Sequence, residues 1–80
     1  MIVRENEFIF IPKSMVRDRR LTPKAKELVV HLYDLGEGDC DMEVLRKRTG
    51  MSKRTFDSAI ERLLHAGYVE KTEYGYYFRG

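Results

Sequence analysis

Apolar residues recur along this chain with changing period, and each change marks an element. The run Phe8-Ile9-Phe10-Ile11 is apolar at every position and closes at Pro12, which predicts a short strand over 8–12 after a tail at 1–7. Residues 12–18 read as one helical turn with Ser14 as a local cap. At Thr22-Pro23 a hydroxyl cap is followed by proline at the first helical position, where its missing N–H costs nothing. Ala25, Leu28, Val29, Leu32 and Leu35 then share one side, predicting a helix over 22–35 with that stripe inward. Val30 points away from the stripe and Tyr33 sits at its edge. Gly36 and Gly38 end the helix, and Glu37 to Asp39 reads as an acidic loop.

A second helix is predicted over 41–49, capped by Asp41 and stopped by Gly50. A third follows over 52–66, capped by Ser52 and stopped by Gly67. At 100° per residue Phe56, Ile60, Leu63 and Leu64 fall on one face of the third helix, while Arg54, Thr55, Ser58, Arg62 and His65 fall on the opposite one. Residues 68–79 read as two strands, Tyr68 to Thr72 and Tyr76 to Arg79, around Glu73-Tyr74-Gly75. Gly75 supplies the positive φ that a tight turn needs. The pattern predicts an α+β fold, mainly α, with a three-helix core, a short N-terminal strand and a C-terminal two-stranded hairpin, all in one domain.

The spacing of the second and third helices carries the functional signal. Joined by so short a Gly-containing link, they must cross steeply in a helix-turn-helix arrangement, with Leu45 and Met51 filling the angle. Arg46, Lys47, Arg48, Lys53 and Arg54 surround the link with no acid between Glu43 and Asp57, a local concentration of positive charge in a chain of net charge +2. A major groove admits one helix and is read by side chains such as Arg to guanine and by small groups beside thymine methyls. Ser52, Lys53, Arg54, Thr55, Ser58 and Arg62 are therefore the base-reading candidates, with Arg46, Lys47 and Arg48 on phosphates. Taken alone, the polar face of the third helix reads as an ordinary solvated surface; its basic surroundings tilt it towards DNA. In the hairpin, Lys71, Tyr74, Tyr76 and Arg79 are candidates for backbone or minor-groove contact in a supporting role, since Glu70 and Glu73 would be repelled there, and the tyrosines read as packing first and contacts second. Arg17, Arg19 and Arg20, countered by Asp18, read as a solvated basic loop.

Leu45 to Val69 resembles the Leu, basic, Thr-Gly-Met-Ser, basic, Thr-aromatic, Leu-Leu, Ala-Gly-Tyr-Val pattern of winged helix-turn-helix domains. Phe8-Ile9-Phe10-Ile11-Pro12-Lys13 followed by Leu21-Thr22-Pro23-Lys24-Ala25-Lys26-Glu27-Leu28 is similar to the opening of plasmid and phage replication-initiator N-terminal domains. The resemblance covers about Phe8 to Phe78. It implies a winged helix that binds double-stranded DNA in replication initiation or in repression of a mobile element's genes. Such initiators usually continue into a second domain, whereas this sequence stops at Gly80; a complete small regulator and a piece of a longer protein both fit.

At 80 residues a lone core is marginal, and a partner subunit would help it. The strand at 8–12, apolar on both faces, makes Phe8, Ile9 and Phe10, together with Val30 and Tyr33, the candidates for a homodimer interface. The alternative is that one face packs on the first helix and the other is partly exposed. One cysteine, Cys40, leaves no internal disulfide framework and suits a reducing cytosol; the resemblance implies a cytoplasmic protein associated with a bacterial nucleoid or plasmid. No apolar run is long enough to span a membrane. His31, His65 and Cys40 lack metal-ligand spacing, no phosphate loop or nucleophile motif is present, and neither a cofactor nor an enzyme is expected. The competing expectation is a winged-helix adaptor that binds a replication or partition protein through its aromatic strand and hairpin, or single-stranded DNA through exposed tyrosines.

Overall fold

The computed structural model describes residues 9–79 and shows an α+β fold, mainly helical, with one antiparallel sheet. In chain order the elements are α1 (Lys13–Val16), α2 (Pro23–Leu35), β1 (Gly38–Cys40), α3 (Met42–Thr49), α4 (Lys53–Ala66), β2 (Val69–Thr72) and β3 (Gly75–Phe78). The three longer helices start one residue after their caps. Thr22 accepts from the Ala25 N–H, Asp41 from those of Glu43 and Val44, and Ser52 from that of Thr55. Each cap satisfies backbone donors that the first turn leaves without a partner. Gly50 and Gly67 end α3 and α4 at φ +71° and +83°, a conformation in which a Cβ would be strained.

Helix α2 packs against α3 and α4, and α4 continues onto β2. The core they enclose contains Ala25, Leu28, Val29, Leu32, Leu45, Met51, Phe56, Ile60 and Leu63, closed by Val69 and Phe78 of the sheet. Met15, Leu21 and Ala59 join it, three positions that the periodicity did not single out. Leu35, expected on the inward stripe, is exposed, because it is the last residue of α2, where Gly36 (φ +92°) turns the chain away.

The sheet departs from expectation twice. Its order is β1-β3-β2, with Gly38 and Val69 flanking Phe78 and Cys40 and Lys71 flanking Tyr76. Residues 37–39, expected to be a loop, therefore contribute most of a strand. Gly-Asp-Cys has little strand propensity of its own; its ladder comes from the open side of β3. Conversely, Ile9 to Pro12 of the expected 8–12 strand form no strand. Both sides of β3 are taken, and Pro12 has no N–H to donate. Phe8 and the 1–7 tail lie outside the described residues. Ser14 does not cap α1: it lies within the helix, and the N–H groups of Met15 and Val16 bond the Pro12 carbonyl at 3.1 and 3.4 Å.

Asp18 ties the segment after α1 to the residue that leads into β2. Its side chain, 8 % exposed, accepts from the Arg20 guanidinium at 2.7 and 3.0 Å, the Arg20 N–H at 2.9 Å and the Tyr68 hydroxyl at 2.9 Å. Arg20 first, and Tyr68 after it, hold the Asp18 carboxyl well below the usual carboxylate range despite the opposing desolvation. A lowered folded-state pKa stabilises above the unfolded value, near 4, and that contribution is lost as pH falls below it. Asp18→Asn should therefore show a shallower loss of stability than the wild type in denaturant titrations from about pH 5 down to about pH 2. At neutral pH, Tyr68→Phe should cost about 1 kcal/mol. Parallel acid titrations of wild type and Asp18→Asn would sink this account.

Candidate nucleic-acid interface

Helices α3 and α4 are separated only by Gly50, Met51 and Ser52. Leu45 and Met51, at 0 % and 7 % exposed, fill the space beneath the link. The Thr49 hydroxyl donates to the Arg46 carbonyl at 2.9 Å and accepts from the Met51 N–H at 3.3 Å, holding the link from its α3 side. On the α4 side the Ser52 hydroxyl donates to Thr55 Oγ1 at 3.0 Å and accepts from the Thr55 N–H at 3.2 Å. Ser52 and Thr55 are thus committed to starting the helix. Of the six base-reading candidates, Lys53, Arg54, Ser58 and Arg62 are the exposed ones whose side chains do not serve that cap.

Pairing divides the cations. Arg46 meets Glu43 at 3.4 Å, Arg48 pairs with Asp34 of α2, and Lys53 meets Asp57 at 2.8 Å, which raises the Lys53 pKa and keeps it charged. Much of the basic surround read along the sequence is therefore neutralised in space. Lys47, Arg54 and Arg62 have no carboxylate at ion-pair distance among the described residues. Exposed pairs are worth little each, so they restrain their cations weakly; the carboxylates nevertheless remain in the surface and oppose an anion there.

The exposed face of α4 has two unlike flanks. Lys53, Phe56, Asp57 and Ile60 turn towards α3 and β3, lining a cleft that also contains Glu43 and Arg46. Arg54, Thr55, Ser58 and Ala59 turn towards the start of α2, where Thr22 and Lys24 complete a concavity of about 290 Å³. Between the flanks Asp57, Ser58, Glu61, Arg62 and His65 line a shallow, open depression. Lys24 and Thr22 were not among the sequence candidates, since only the packing of α2 on α4 brings them beside Arg54.

In the hairpin, Arg79 is bound to Glu70 at 2.6 Å, Lys71 is exposed, and Tyr74 projects from the turn at 84 % exposure. Tyr76 is half-buried against the core. Tyr77 donates to Glu37 at 3.3 Å, and that charge raises its pKa. The interface candidates separate as well. Ile9, Phe10 and Val30 are exposed, Phe10 by 86 %. Tyr33 instead packs its ring edge-on to Phe78, centroids 5.0 Å apart at 85°, so it serves the core; a residue at the edge of an apolar stripe is drawn in when an aromatic partner lies across it. Cys40 is half-buried, and burial pushes its thiol pKa up. Among the described residues no three His, Cys, Asp or Glu side chains come together to hold a metal ion, and no helix is long and apolar enough to cross a membrane. No family model matches the chain, and neither a curated protein nor a solved structure matches it.

Proposed function

We propose that the chain is a winged helix-turn-helix domain that binds double-stranded DNA sequence-specifically, with α4 in the major groove and the β2–β3 hairpin as the wing. The observation that carries this reading is the exposed side of α4, where Arg54, Ser58 and Arg62 project free of acidic partners beside a short, rigidly bonded link from α3. Arg54 and Arg62 have the reach and donor geometry for guanine edges, and Ser58 is short enough to allow close approach. Lys47 supplies a phosphate contact that orients the domain without reading sequence. The role is recognition of an origin or an operator of a plasmid, phage or other mobile element, by a homodimer in which the exposed Ile9, Phe10 and Val30 are the interface candidates.

Selection of bound duplexes from a randomised pool, with the complex sized, tests the reading. An enriched repeat bound by two protomers, with half-sites about 10–10.5 bp apart, is expected. Absence of enrichment, with binding that only falls steeply with salt, would reduce the surface to a non-specific footprint. Lys47→Ala should weaken every sequence alike and flatten the dependence of log K on log salt by about one unit; a change confined to particular base pairs would contradict its assignment to phosphate.

The exposure of Phe10 and Tyr74 favours a second reading, an adaptor whose aromatic side chains bind a replication or partition protein, or stack on single-stranded DNA. Loss of binding on Tyr74→Ala with Arg54→Ala silent would select it.

A further inference from the structure

On the DNA-binding reading above, we infer that the concavity between the start of α2 and α4 seats a backbone phosphate of the bound duplex, with Lys24 as its principal cation and the Thr22 and Ser58 hydroxyls as donors. A helix of about 10–12 Å diameter fills a major groove about 12 Å wide, so the two phosphate backbones run along its flanks. Whatever stands beside those flanks meets phosphates.

The two flanks of α4 differ in what they offer. On the α3 side the cleft holds Glu43 and Asp57, each already engaged with the cation beside it, and a phosphate entering there would face two carboxylates. On the α2 side the lining consists of Thr22, Lys24, Arg54, Thr55, Ser58 and Ala59: two cations, three hydroxyls and no carboxylate. An anion is favoured on that side by charge and by donor supply together.

The individual groups are available. Thr22 Oγ1 accepts from the Ala25 N–H at 3.2 Å, which leaves its hydroxyl proton to donate outward. Lys24 meets Glu27 at 3.3 Å, but with side chains 62 % and 45 % exposed this is a surface pair one turn along a helix, easily exchanged for a phosphate. Arg54 rises from the same wall and extends past the phosphate towards the base edges. Backbone seat and base reader are thus neighbours, and the phosphate contact sets the register in which Arg54 reads. This fixes the orientation of the duplex: one strand passes over the start of α2, the other past Lys47.

The test is a fluorescence anisotropy titration of a labelled mixed-sequence duplex with the full chain, repeated between about 50 and 200 mM salt. The proteins are wild type, Lys24→Ala, Glu27→Gln and, as a control cation outside the concavity, Lys13→Ala. Lys24→Ala should weaken binding several-fold and reduce the slope of log K against log salt by about 0.9. Glu27→Gln should tighten binding by releasing Lys24, and Lys13→Ala should leave the slope unchanged. Equal behaviour of Lys24→Ala and Lys13→Ala, with the wild type binding normally, would overturn the phosphate seat and leave the DNA reading standing. A wild-type chain that does not bind the duplex would overturn both. Lys24 is exposed, so circular dichroism of the variant should match the wild type.

Discussion

Phe78→Ala should lower stability by about 3–5 kcal/mol, the range found when a buried phenylalanine is truncated and its cavity does not collapse. Phe78 is 1 % exposed and belongs to the central strand of the sheet, with Gly38 opposite on one side and Val69 on the other. Its ring also packs near-perpendicular to that of Tyr33, so the substitution removes an aromatic pair together with the buried area. Whole-domain stabilities run to about 5–15 kcal/mol, and small cores lie low in that range. The variant should therefore be largely unfolded in mild urea, whereas Phe78→Leu, which retains most of the volume, should remain folded. Urea titrations followed by circular dichroism decide it; a loss under about 1 kcal/mol would mean that β3 is not the element closing this core.

The second large effect concerns recognition. Arg54→Ala should cost about 1–3 kcal/mol in binding the selected duplex, roughly ten- to a hundredfold, and should relax the preference at one base-pair position. The loss should be much smaller on duplexes already altered at that position. Arg54 is exposed and takes no part in the core, so the thermal transition should stay where it is. Competition between the selected duplex and its single-position variants separates the outcomes. A loss spread evenly over all sequences would move Arg54 from base reader to phosphate contact and leave Arg62 as the arginine that reads.

Both predictions depend on features of unequal legibility. Helix starts and stops were readable because a cap is a local device: Thr22 with Pro23, Asp41, Ser52, Gly50 and Gly67 act on backbone groups within a turn of themselves. The amphipathic faces of α2 and α4 were readable for the same reason, apart from Leu35 at a helix end and Ala59, whose small side chain gives little signal. β1 was not readable, because Gly38-Asp39-Cys40 owes its ladder to a strand far along the chain rather than to its own residues. Nor was the charge pattern. The Glu43–Arg46 and Lys53–Asp57 pairs lie within single helices, but Asp34 lies 14 residues before Arg48 and Lys24 lies 30 before Arg54, so the Arg48 pair and the cation-rich side of α4 emerge only after α2, α3 and α4 have packed.

The strand order β1-β3-β2 also governs when the molecule can be completed during synthesis. β1 is synthesised roughly 40 residues ahead of β3, an interval of about 2–8 s at about 5–20 residues per second. During that time α3 and α4 are themselves being added, and Gly38 to Cys40 has no β3 against which to pair. β2 depends on β3 for its ladder as well but precedes it by only a few residues. Sheet and core are thus finished in one late event near the C-terminal end of this sequence, and a message truncated before the codon for Gly75 would yield a chain with no sheet at all.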